Sequence, residues 1–587
     1  ISSAWLSTLI SDLNSPSFSL KNSFTDDSYW RDLLAFTPDI RTLHTLPAIE
    51  QFFSPPVSVA QPTGFQLLSG VRHTTTFIQG IVQFQTVIAQ CTGVFTLTQC
   101  EDSSWKALSF VTMMERFPGE MDRFGTRLGR SPPPCPPVEW NTVMDFTVVV
   151  VGAGQCGLSV AARLENLSIS TLVVERLSSI GNVWRSRYES LETNTPKAYN
   201  HLPFFPFPET SYEYVPGRDV ADYLENYQRA LGLHVLTSAH ISAVSYDSLA
   251  GTWTISVSRS GRPSITVTAR HLIAATGVGT LGGATPVIPS IPGKRSFLGS
   301  ILHSSQYKSP CIGHKVAVVG GGCSAHDIAQ DLTNKGSRTV LIQRSPTAVV
   351  SRETINRMLS GNFIYVGQDK LPTEIADRFY VALPLSKALR ASKHDVDGGA
   401  DIDRYVARQR LKWSSSHTLP LRDLKEDLSR HGYLLPDAAD SFLHRLVVRR
   451  AGYYIDRGCA KLITTGKITV KSGRDISHFS PTGLVFDDGS RVEADLVIFA
   501  TGYSRTTIKH VAESLFGPKV ADAVRDVGGW DSDCEPAGVW RPSGHKALWF
   551  AEGDLFAARF YSQFLALQIK AREMKLLSPD RRSYVLR

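Results

Sequence analysis

Two glycine-rich turns are the segments of this chain best suited to do chemistry, and each follows a short apolar run. The first turn reads Gly-Ala-Gly-Gln-Cys-Gly after the run 146–151, and the second reads Gly-Gly-Gly-Cys-Ser-Ala after the run 316–319. A turn of this kind, between a buried strand and a helix, presents backbone N–H groups to the pyrophosphate of a dinucleotide. The predicted phosphate-binding residues are Gly152, Gly154 and Gly157 in the first turn, and Gly320, Gly322, Ser324 and Ala325 in the second. Two such turns predict two dinucleotides that exchange electrons.

The first turn has the carboxylate that a ribose would need. A short apolar strand, 171–174, ends at Glu175, roughly 20 positions after Gly154, where an acidic residue commonly binds ribose hydroxyls. A helix predicted over about 155–165 would direct its N-terminus at the phosphates. We expect a complete nucleotide site here. The alternative is a glycine turn that only joins a strand to a helix.

The second turn has a cation in place of that carboxylate. The strand predicted over 339–342 is followed by Gln343, Arg344 and Ser345. A guanidinium suits a 2′-phosphate and offers nothing to an unphosphorylated ribose. We therefore predict NADPH rather than NADH at this turn. The alternative is that Arg344 is a solvated residue at a strand end.

The surroundings of the first turn favour a flavin. Trp184 follows its strand–helix–strand unit and could line an isoalloxazine ring. Near the end of the chain, Asp554 precedes a helical pattern over 555–570, and a helix N-terminus there could stabilise negative charge on a reduced flavin. Asp554 is also a common type of helix cap, and the two roles are compatible.

With further motifs, the chain resembles the FMO-type flavin-dependent monooxygenases, including the plant enzymes of auxin synthesis, over roughly residues 143–587. It looks most similar to fungal members with an extra N-terminal domain. Besides the two turns, the motifs are Phe297-x-Gly299-x3-His303-x3-Tyr307, Ala275-Thr276-Gly277 and Ala500-Thr501-Gly502. The resemblance implies an α/β fold with two Rossmann-like dinucleotide-binding domains, preceded by an α+β NTF2-like domain.

The resemblance also implies a reaction. NADPH would reduce FAD, and O₂ would add to give a flavin C4a-hydroperoxide that inserts one oxygen atom into a small organic substrate. This is N- or S-oxygenation, or oxidative decarboxylation of a 2-oxo acid. Tyr307 stands where Baeyer–Villiger monooxygenases usually have Trp, yet Baeyer–Villiger chemistry stays an alternative. A reductase or oxidase activity is a further, less favoured alternative.

The resemblance assigns further site residues. It implies that His303 and Tyr307 position the nicotinamide nucleotide at the domain junction, or else pack there. The two Ala-Thr-Gly segments would contribute Thr276, Gly277, Thr501 and Gly502 to the cofactor sites. Asn194 would face the flavin edge near the hydroperoxide. Its alternative role is to form a turn before Pro196.

The predicted domain order follows from a break in composition. Proline-rich residues 131–140 form a linker after an N-terminal domain over 1–130, in which we expect helical or irregular structure up to residue 36 and strands over 74–86, 94–98 and 105–114. The FAD domain is split between 141–312, which includes an antiparallel meander over 235–269, and 476–587, which includes a hairpin turning at 487–489. The NADPH domain spans 313–475, with a largely helical insertion over about 351–461.

Composition narrows the functional classes. The net charge of +8 is interspersed along the sequence without a basic run, so we expect no nucleic-acid partner. The eight cysteines have no CxxC or metal-ligand spacing, which predicts no metal and no disulfide and disfavours a pyridine-nucleotide disulfide reductase. No 18-residue apolar stretch occurs, so we expect a cytoplasmic protein without membrane contact. Its partners would be a small substrate, O₂ and, as one alternative, a second copy in a homodimer. A degenerate protein in which flavin only stabilises the fold is the remaining alternative.

Overall fold

The computed structural model describes residues 1–68, 70–73, 77–120, 143–259, 261–277, 285–308, 313–360, 371–385, 421–437, 442–504, 508–525, 527–577 and 584. The expected linker, 131–140, and much of the expected insertion, 351–461, lie outside these residues. Within them the chain forms two large nucleotide-type sheets and a separate N-terminal sheet.

The N-terminal sheet has the strand order β2-β1-β7-β6-β5-β3, and β4 also pairs with β5. Its elements are α1 (Ser2–Leu13), β1 (Phe24–Leu33), β2 (Ile40–His44), α2 (Leu46–Ala60), β3 (Thr63–Leu67), β4 (Arg72–His73), β5 (Ile78–Gln85), β6 (Gln90–Gln99) and β7 (Trp105–Arg116). The helix-or-coil expectation up to residue 36 was wrong for β1. This strand pairs in parallel with β7 and buries Trp30, which stacks on Phe53 with ring centroids 4.4 Å apart. β5 lies within its predicted segment, whereas β6 and β7 overlap theirs and extend beyond them.

The middle of the chain contains the first glycine turn. Its elements are β8 (Met144–Val151), α3 (Gln155–Asn166), β9 (Thr171–Val174), α4 (Asn182–Arg185), α5 (Lys197–Asn200), α6 (Gly217–Leu231), β10 (Val235–Leu236), β11 (His240–Asp247), β12 (Thr252–Arg259), β13 (Arg262–Ala274) and β14 (Ser300–His303). The apolar run before the turn is strand β8, whose central valines are fully buried, as expected for a strand covered on both faces.

The remainder contains the second glycine turn. Its elements are β15 (Lys315–Val319), α7 (Cys323–Asn334), β16 (Arg338–Gln343), β17 (Ala348–Ser351), α8 (Arg352–Ser360), α9 (Thr373–Tyr380), α10 (Leu421–Arg430), α11 (Phe442–His444), β18 (Tyr453–Asp456), α12 (Cys459–Thr464), β19 (Ile468–Ser472), β20 (Ile476–Ser480), β21 (Gly483–Phe486), β22 (Arg491–Glu493), β23 (Leu496–Phe499), α13 (Ile508–Phe516), α14 (Pro518–Ala523), β24 (Leu548–Phe550) and α15 (Leu555–Glu573).

Long-range pairing builds the two nucleotide-type sheets. The first has the order β10-β9-β8-β13-β12-β11, with β24 added in parallel on β13. Strand β13 is long enough to pair with β12 in the antiparallel meander and with β8 in the parallel part. The second sheet is all parallel, in the order β14-β23-β15-β16-β19.

The second sheet differs from the expected domain boundaries at two points. β14 precedes residue 313 and β23 follows residue 476, so both were expected in the FAD domain. Both instead pair with each other beside β15. Strand composition does not specify a partner, whereas the pairing is fixed by which apolar faces meet in the folded chain. The hairpin expected at 487–489 joins β21 to β22 and is confirmed.

Buried charges join the N-terminal sheet to the end of the chain. Arg31 on β1 donates to both carboxylate oxygens of Glu535, at 2.6 and 2.7 Å, and also to the Tyr561 hydroxyl at 3.0 Å. Thr42 donates to the same carboxylate at 2.6 Å, and Glu535 is only 2% exposed. The contact is therefore bidentate and desolvated.

No helix in the described part of the chain is both long and apolar enough to span a bilayer.

Candidate active site

The first glycine turn is closely packed at two of its three glycines. Gly152 has a positive φ of 104°, and a Cβ atom there would lie 2.5 Å from the Ala275 carbonyl oxygen. A Cβ atom at Gly157 would lie 1.9 Å from the Gly152 oxygen. Around Gly154 nothing lies within 4 Å of such an atom, so this position faces open space. The turn thus has two residues that close it and one that leaves room for a ligand.

Two helix N-termini meet beside this turn. Gln155, the first residue of α3, donates from its side chain to the Gly553 carbonyl at 3.1 Å, just before α15 begins. Asp554 caps α15 by accepting from the Ala557 N–H at 2.8 Å. Asp554 is exposed at the surface, yet the surrounding protein partly desolvates its carboxyl group and raises its pKa. Both helix dipoles favour negative charge at this point.

Glu175 stabilises the turn from the end of β9. Its two carboxylate oxygens accept from the N–H groups of Ala153 and Leu177, each at 2.8 Å. A carboxylate has about four acceptor positions, so capacity is left for ribose hydroxyls. Glu175 therefore has a structural role that its sequence position alone did not reveal.

The second turn has the same design as the first. Gly320 has a φ of 146°, and a Cβ atom there would lie 2.5 Å from the Ala500 carbonyl oxygen. Nothing lies within 4 Å of such an atom at Gly322. Ala325, in the first turn of α7, is fully buried. In both turns, then, the alanine of an Ala-Thr-Gly segment closes over the first glycine, and the second glycine faces open space.

The other residues expected at the second turn lie at its rim. Ser324 is half-buried in the first turn of α7, and Arg344 is exposed directly after β16. Gln343, in contrast, is fully buried and exchanges two hydrogen bonds of 2.8 Å with the backbone of Leu434. The side chain of Arg344 is thus accessible at the carboxyl end of a parallel strand, where ligands of such sheets bind.

His303 and Tyr307 are both buried and hydrogen-bonded to neighbouring residues. The His303 Nε2 donates to the Gly502 carbonyl at 3.0 Å, and its Nδ1 accepts from the Ser305 N–H at 3.2 Å. These contacts suit a neutral ring, and burial lowers its pKa. Tyr307 is 1% exposed and donates to Asp331 at 2.6 Å. Of the two expected roles, the observed contacts are those of packing.

The two Ala-Thr-Gly segments differ in their outer residues. The Thr501 hydroxyl donates to the Val287 carbonyl. The Val287 N–H in turn donates to the Gly502 carbonyl at 3.0 Å. The corresponding Thr276 is half-buried, and Gly277 is exposed with a φ of 94°. The second segment is therefore held by its bonds to Val287 and by the β-bridge between Pro286 and Tyr503.

Asn194 lies in a turn that is held firmly on both sides. The Thr193 N–H donates to the Val215 carbonyl. The Thr195 hydroxyl donates to the Asn200 side-chain oxygen at 2.8 Å, and the Asn200 amide donates to the Thr195 backbone carbonyl at 2.6 Å. Asn194 itself is half-buried, as is Trp184, which packs against the core of the first unit. The turn role expected as an alternative fits this geometry, and the fixed backbone would also orient the Asn194 amide.

A charged cluster that the sequence did not point to joins the two nucleotide units beside this turn. Glu192 accepts from Arg352 at 2.6 Å and from Arg457 at 2.9 Å. Arg457 also lies 3.4 Å from Asp327 on α7, which accepts from the Tyr188 hydroxyl at 2.8 Å. These charged residues lie far apart in the sequence, so no local pattern indicates that they meet. The cluster fixes residues 188–194 against the helix of the second turn.

His326 anchors the second turn from inside α7. Its Nδ1 donates to the Gly322 carbonyl at 2.9 Å, its Nε2 accepts from the Tyr433 hydroxyl at 2.9 Å, and its ring stacks on Tyr454. Burial lowers the pKa of His326 from 6.5 to about 4. The folded protein therefore holds this ring neutral, while the unfolded chain takes up a proton below pH 6.5.

We expect His326→Phe to reduce the acid sensitivity of the fold. Stability from the neutral ring is complete above pH 6.5 and is lost as pH falls toward 4, by up to about 1.4 kcal/mol per pH unit. The phenyl ring can keep the stacking on Tyr454 but cannot titrate. Urea midpoints at pH 7, 6 and 5 measure this, and parallel pH dependences in both proteins would contradict it.

The cysteines beside the turns are poorly suited to thiol chemistry. Burial raises the pKa of Cys156, and it raises the pKa of Cys323 to about 11. A thiol attacks as its thiolate, so raised pKa values make both unreactive at neutral pH. Among the described cysteines all are free thiols, and no group of three metal-ligating side chains occurs in that part of the chain.

Comparisons with known proteins agree with this geometry. Residues 149–363 match the family model described as pyridine nucleotide-disulphide oxidoreductase. The probable indole-3-pyruvate monooxygenase YUCCA8 of Arabidopsis thaliana is 28% identical over 390 residues, which are 65% of this chain and 81% of that protein. The indole-3-pyruvate monooxygenase YUCCA1 of Oryza sativa subsp. japonica is 29% identical over 359 residues, covering 60% and 76%.

Solved structures share the fold. Cyclohexanone-bound cyclohexanone monooxygenase in its rotated conformation aligns with a TM-score of 0.50 at 15% identity, covering 75% of this chain and 90% of that one. The flavin-containing monooxygenase from Stenotrophomonas maltophilia aligns with a TM-score of 0.46 at 21% identity, covering 73% and 99%. The sequence matches thus show similarity to proteins named as monooxygenases, and the structural match to cyclohexanone monooxygenase shows a shared mixed α/β fold.

Proposed function

We propose that this protein is an FAD-containing, NADPH- and O₂-dependent monooxygenase. The supporting observation is the pair of glycine turns, each closed by an alanine carbonyl and each open at its second glycine. One turn has Glu175 at its strand end and the other has Arg344. A protein with one nucleotide would have no use for a second turn of this design. The curated relatives, named as monooxygenases, are consistent with the proposal.

We assign FAD to the first turn because two helix N-termini and a carboxylate meet there. The proposed FAD-binding residues are Gly152, Gly154, Gly157, Glu175, Trp184, Thr276, Gly277 and Asp554. The proposed NADPH-binding residues are Gly320, Gly322, Ser324, Ala325, Arg344, Thr501 and Gly502, with His303 and Tyr307 positioning that site. When bound, FAD supplies electron transfer from NADPH and the activation of O₂.

The protein's own residues then orient the bound groups and exclude water from them. Asn194 is the proposed catalytic residue, because its amide can accept or donate a hydrogen bond at the flavin edge. The Glu192–Arg352–Arg457 cluster fixes its turn against the second unit. Few acid–base groups are required of the protein in such a reaction, since the cofactor supplies the difficult chemistry.

The substrate in this proposal is a small organic molecule. N-oxygenation, S-oxygenation and oxidative decarboxylation of a 2-oxo acid are the reactions proposed for it. Since the curated relatives are named for indole-3-pyruvate, this 2-oxo acid is the first compound to test. A tertiary amine, a thioether and cyclohexanone complete the panel, with cyclohexanone reporting Baeyer–Villiger activity.

The division into domains and the cellular location are also proposals. We propose that 1–130 is an NTF2-like domain, 131–140 a linker, 141–312 with 476–587 the FAD unit, and 313–475 the NADPH unit. β14 and β23 are the exceptions to these ranges. We also propose a cytoplasmic location.

Anaerobic mixing of the purified holoprotein with NADPH tests the proposed function directly. We expect the flavin absorbance near the visible maximum to bleach, and to return when oxygen is admitted. NADPH consumption in air should then equal O₂ consumption. Flavin that NADPH cannot bleach, or turnover that continues unchanged without oxygen, would reject the proposal. NADPH-dependent reduction of a disulfide would instead favour a disulfide reductase, which the raised thiol pKa values disfavour.

Arg344→Ala should separate the two nicotinamide nucleotides. We expect the KM for NADPH to rise about tenfold or more, because a charge-assisted contact to the 2′-phosphate is lost. The KM for NADH should change little. Arg338→Ala, which removes an exposed guanidinium at the opposite end of β16, is the matched control. Equal losses for both nucleotides would remove Arg344 from its assigned role.

A further inference from the structure

A cavity of about 750 Å³ lies away from both glycine turns, where three parts of the chain meet. One wall is the N-terminal sheet, with Gln83, Thr92 and Glu115. The second wall is α15 with the end of α3, and the third is α9 from its first residue, Thr373. Its volume lies within the range of ordinary small-molecule sites, about 300–1,000 Å³.

Packed side chains separate this cavity from the expected flavin position. On α3 it reaches only the C-terminal half, from Arg163, whereas the glycine turn adjoins the N-terminus. On α15, Phe556 lies between the Asp554 cap and the cavity-lining Phe560. Phe556 stacks on Tyr199 at 5.0 Å and on Phe560 at 5.6 Å. These rings occupy the stretch of α15 between the Asp554 cap and the cavity.

The charges that line the cavity balance, because four carboxylates and four guanidinium groups lie in its walls. Glu115 accepts from Arg378 at 2.8 Å, and Asp377 pairs with Arg559 at 2.8 Å. The Arg378 guanidinium lowers the pKa of Glu115 despite its burial, so the carboxylate stays ionised. Because each of these pairs is neutral overall, neither calls for a charged ligand.

The rest of the lining combines aromatic rings with uncharged hydrogen-bonding groups. Phe84, Phe204, Phe560 and Phe564 line it together with Gln66, Gln83, Gln85, Gln90 and Gln563. Aromatic side chains provide a large apolar contact area, while glutamine amides both donate and accept hydrogen bonds. Pockets with this mixture of walls orient organic ligands through a few polar contacts.

We propose that this cavity binds an uncharged aromatic compound that has hydrogen-bonding groups. The site is separate from both dinucleotide turns, and it does not depend on the activity proposed above. A ligand held there contacts the N-terminal sheet, α9 and α15 at once, and so stabilises their association. The N-terminal sheet thereby contributes directly to recognition of a small molecule.

The experiment uses the purified full chain, with and without saturating NADP⁺, and the neutral fluorescent naphthalene probe prodan. We expect saturable binding with a blue-shifted emission and a concentration-dependent rise in the melting temperature. Gln83→Trp places a large ring inside the cavity from a strand position, where tryptophan is well tolerated. It should weaken binding about tenfold or more, since the site can no longer admit the probe.

Two further variants control for misfolding. Gln66→Trp fills the cavity from a different strand and should have the same effect. Gln99→Trp places the same residue at an exposed position of β6 outside the cavity and should leave prodan affinity unchanged. Flavin content and circular dichroism must match the parent in all three. Absence of saturable binding, displacement of the probe by NADP⁺, or binding unaffected by both cavity variants would overturn the proposal.

Discussion

Gly154→Val should yield a stably folded protein that fails to retain FAD. The backbone at this position is extended, with φ −78° and ψ −175°, and nothing lies within 4 Å of a Cβ atom. Valine therefore fits the unliganded protein, and the melting temperature without cofactor should change by roughly 2–4 °C or less. Its methyl groups, however, occupy the space through which a pyrophosphate would reach the α3 N-terminus. We expect at least about a 100-fold loss of FAD affinity, or roughly 2.8 kcal/mol.

Gly322→Val is the matched control because the second turn has the same geometry. Gly322 also lies in extended backbone, with φ −90° and ψ 179°, and also faces open space. This variant should keep its flavin but require far more NADPH to reduce it. Flavin titration of the apoprotein and anaerobic reduction kinetics measure the two effects. Loss of flavin from the Gly322 variant and retention by the Gly154 variant would reverse our cofactor assignment.

Arg31→Met should be among the most destabilising substitutions in the chain. The substitution leaves the Glu535 carboxylate, 2% exposed, without its bidentate partner, and also removes the bond to Tyr561. Removing one partner of a buried ion pair typically costs about 3–5 kcal/mol, because an uncompensated charge stays buried. Thermal unfolding followed by circular dichroism, supported by urea midpoints, measures the loss.

A neighbouring ion pair provides the control for Arg31. Arg41 on β2 pairs with Asp533 at 2.9 Å, but its side chain is 36% exposed. Arg41→Met should therefore cost less than about 1 kcal/mol. The double variant Arg31→Met with Glu535→Leu should recover much of the stability that Arg31→Met loses, since no charge is left buried. Equal losses for the two arginine variants would show that desolvation at Glu535 is not the cause.

Local sequence was sufficient wherever a single segment determines its own conformation. The glycine turns, the strands on either side of them and the helix over 555–573 lie close to their predicted positions. In these segments burial pattern and glycine placement act over a few residues. The two alanine carbonyls that close the turns could not be derived this way, because Ala275 and Ala500 are distant in sequence from the glycines they contact.

Sequence reasoning was less successful where the structure depends on distant partners. β1 was missed because its strand character comes from pairing with β7, and β14 and β23 were expected in the first unit for the same reason. The Glu192 cluster and the cavity are each assembled from separate parts of the chain. No local pattern encodes such contacts, so only the folded chain reveals them.

The Arg31–Glu535 contact also sets an order of events during biosynthesis, because 504 positions separate the two residues. At about 5–20 residues per second, a ribosome needs roughly 25–100 s to travel from one codon to the other. Throughout that interval the emerging N-terminal sheet carries an arginine whose counter-ion has not yet been made. The N-terminal sheet therefore reaches its final surroundings only after residue 535 has been made, long after its own strands have been synthesised.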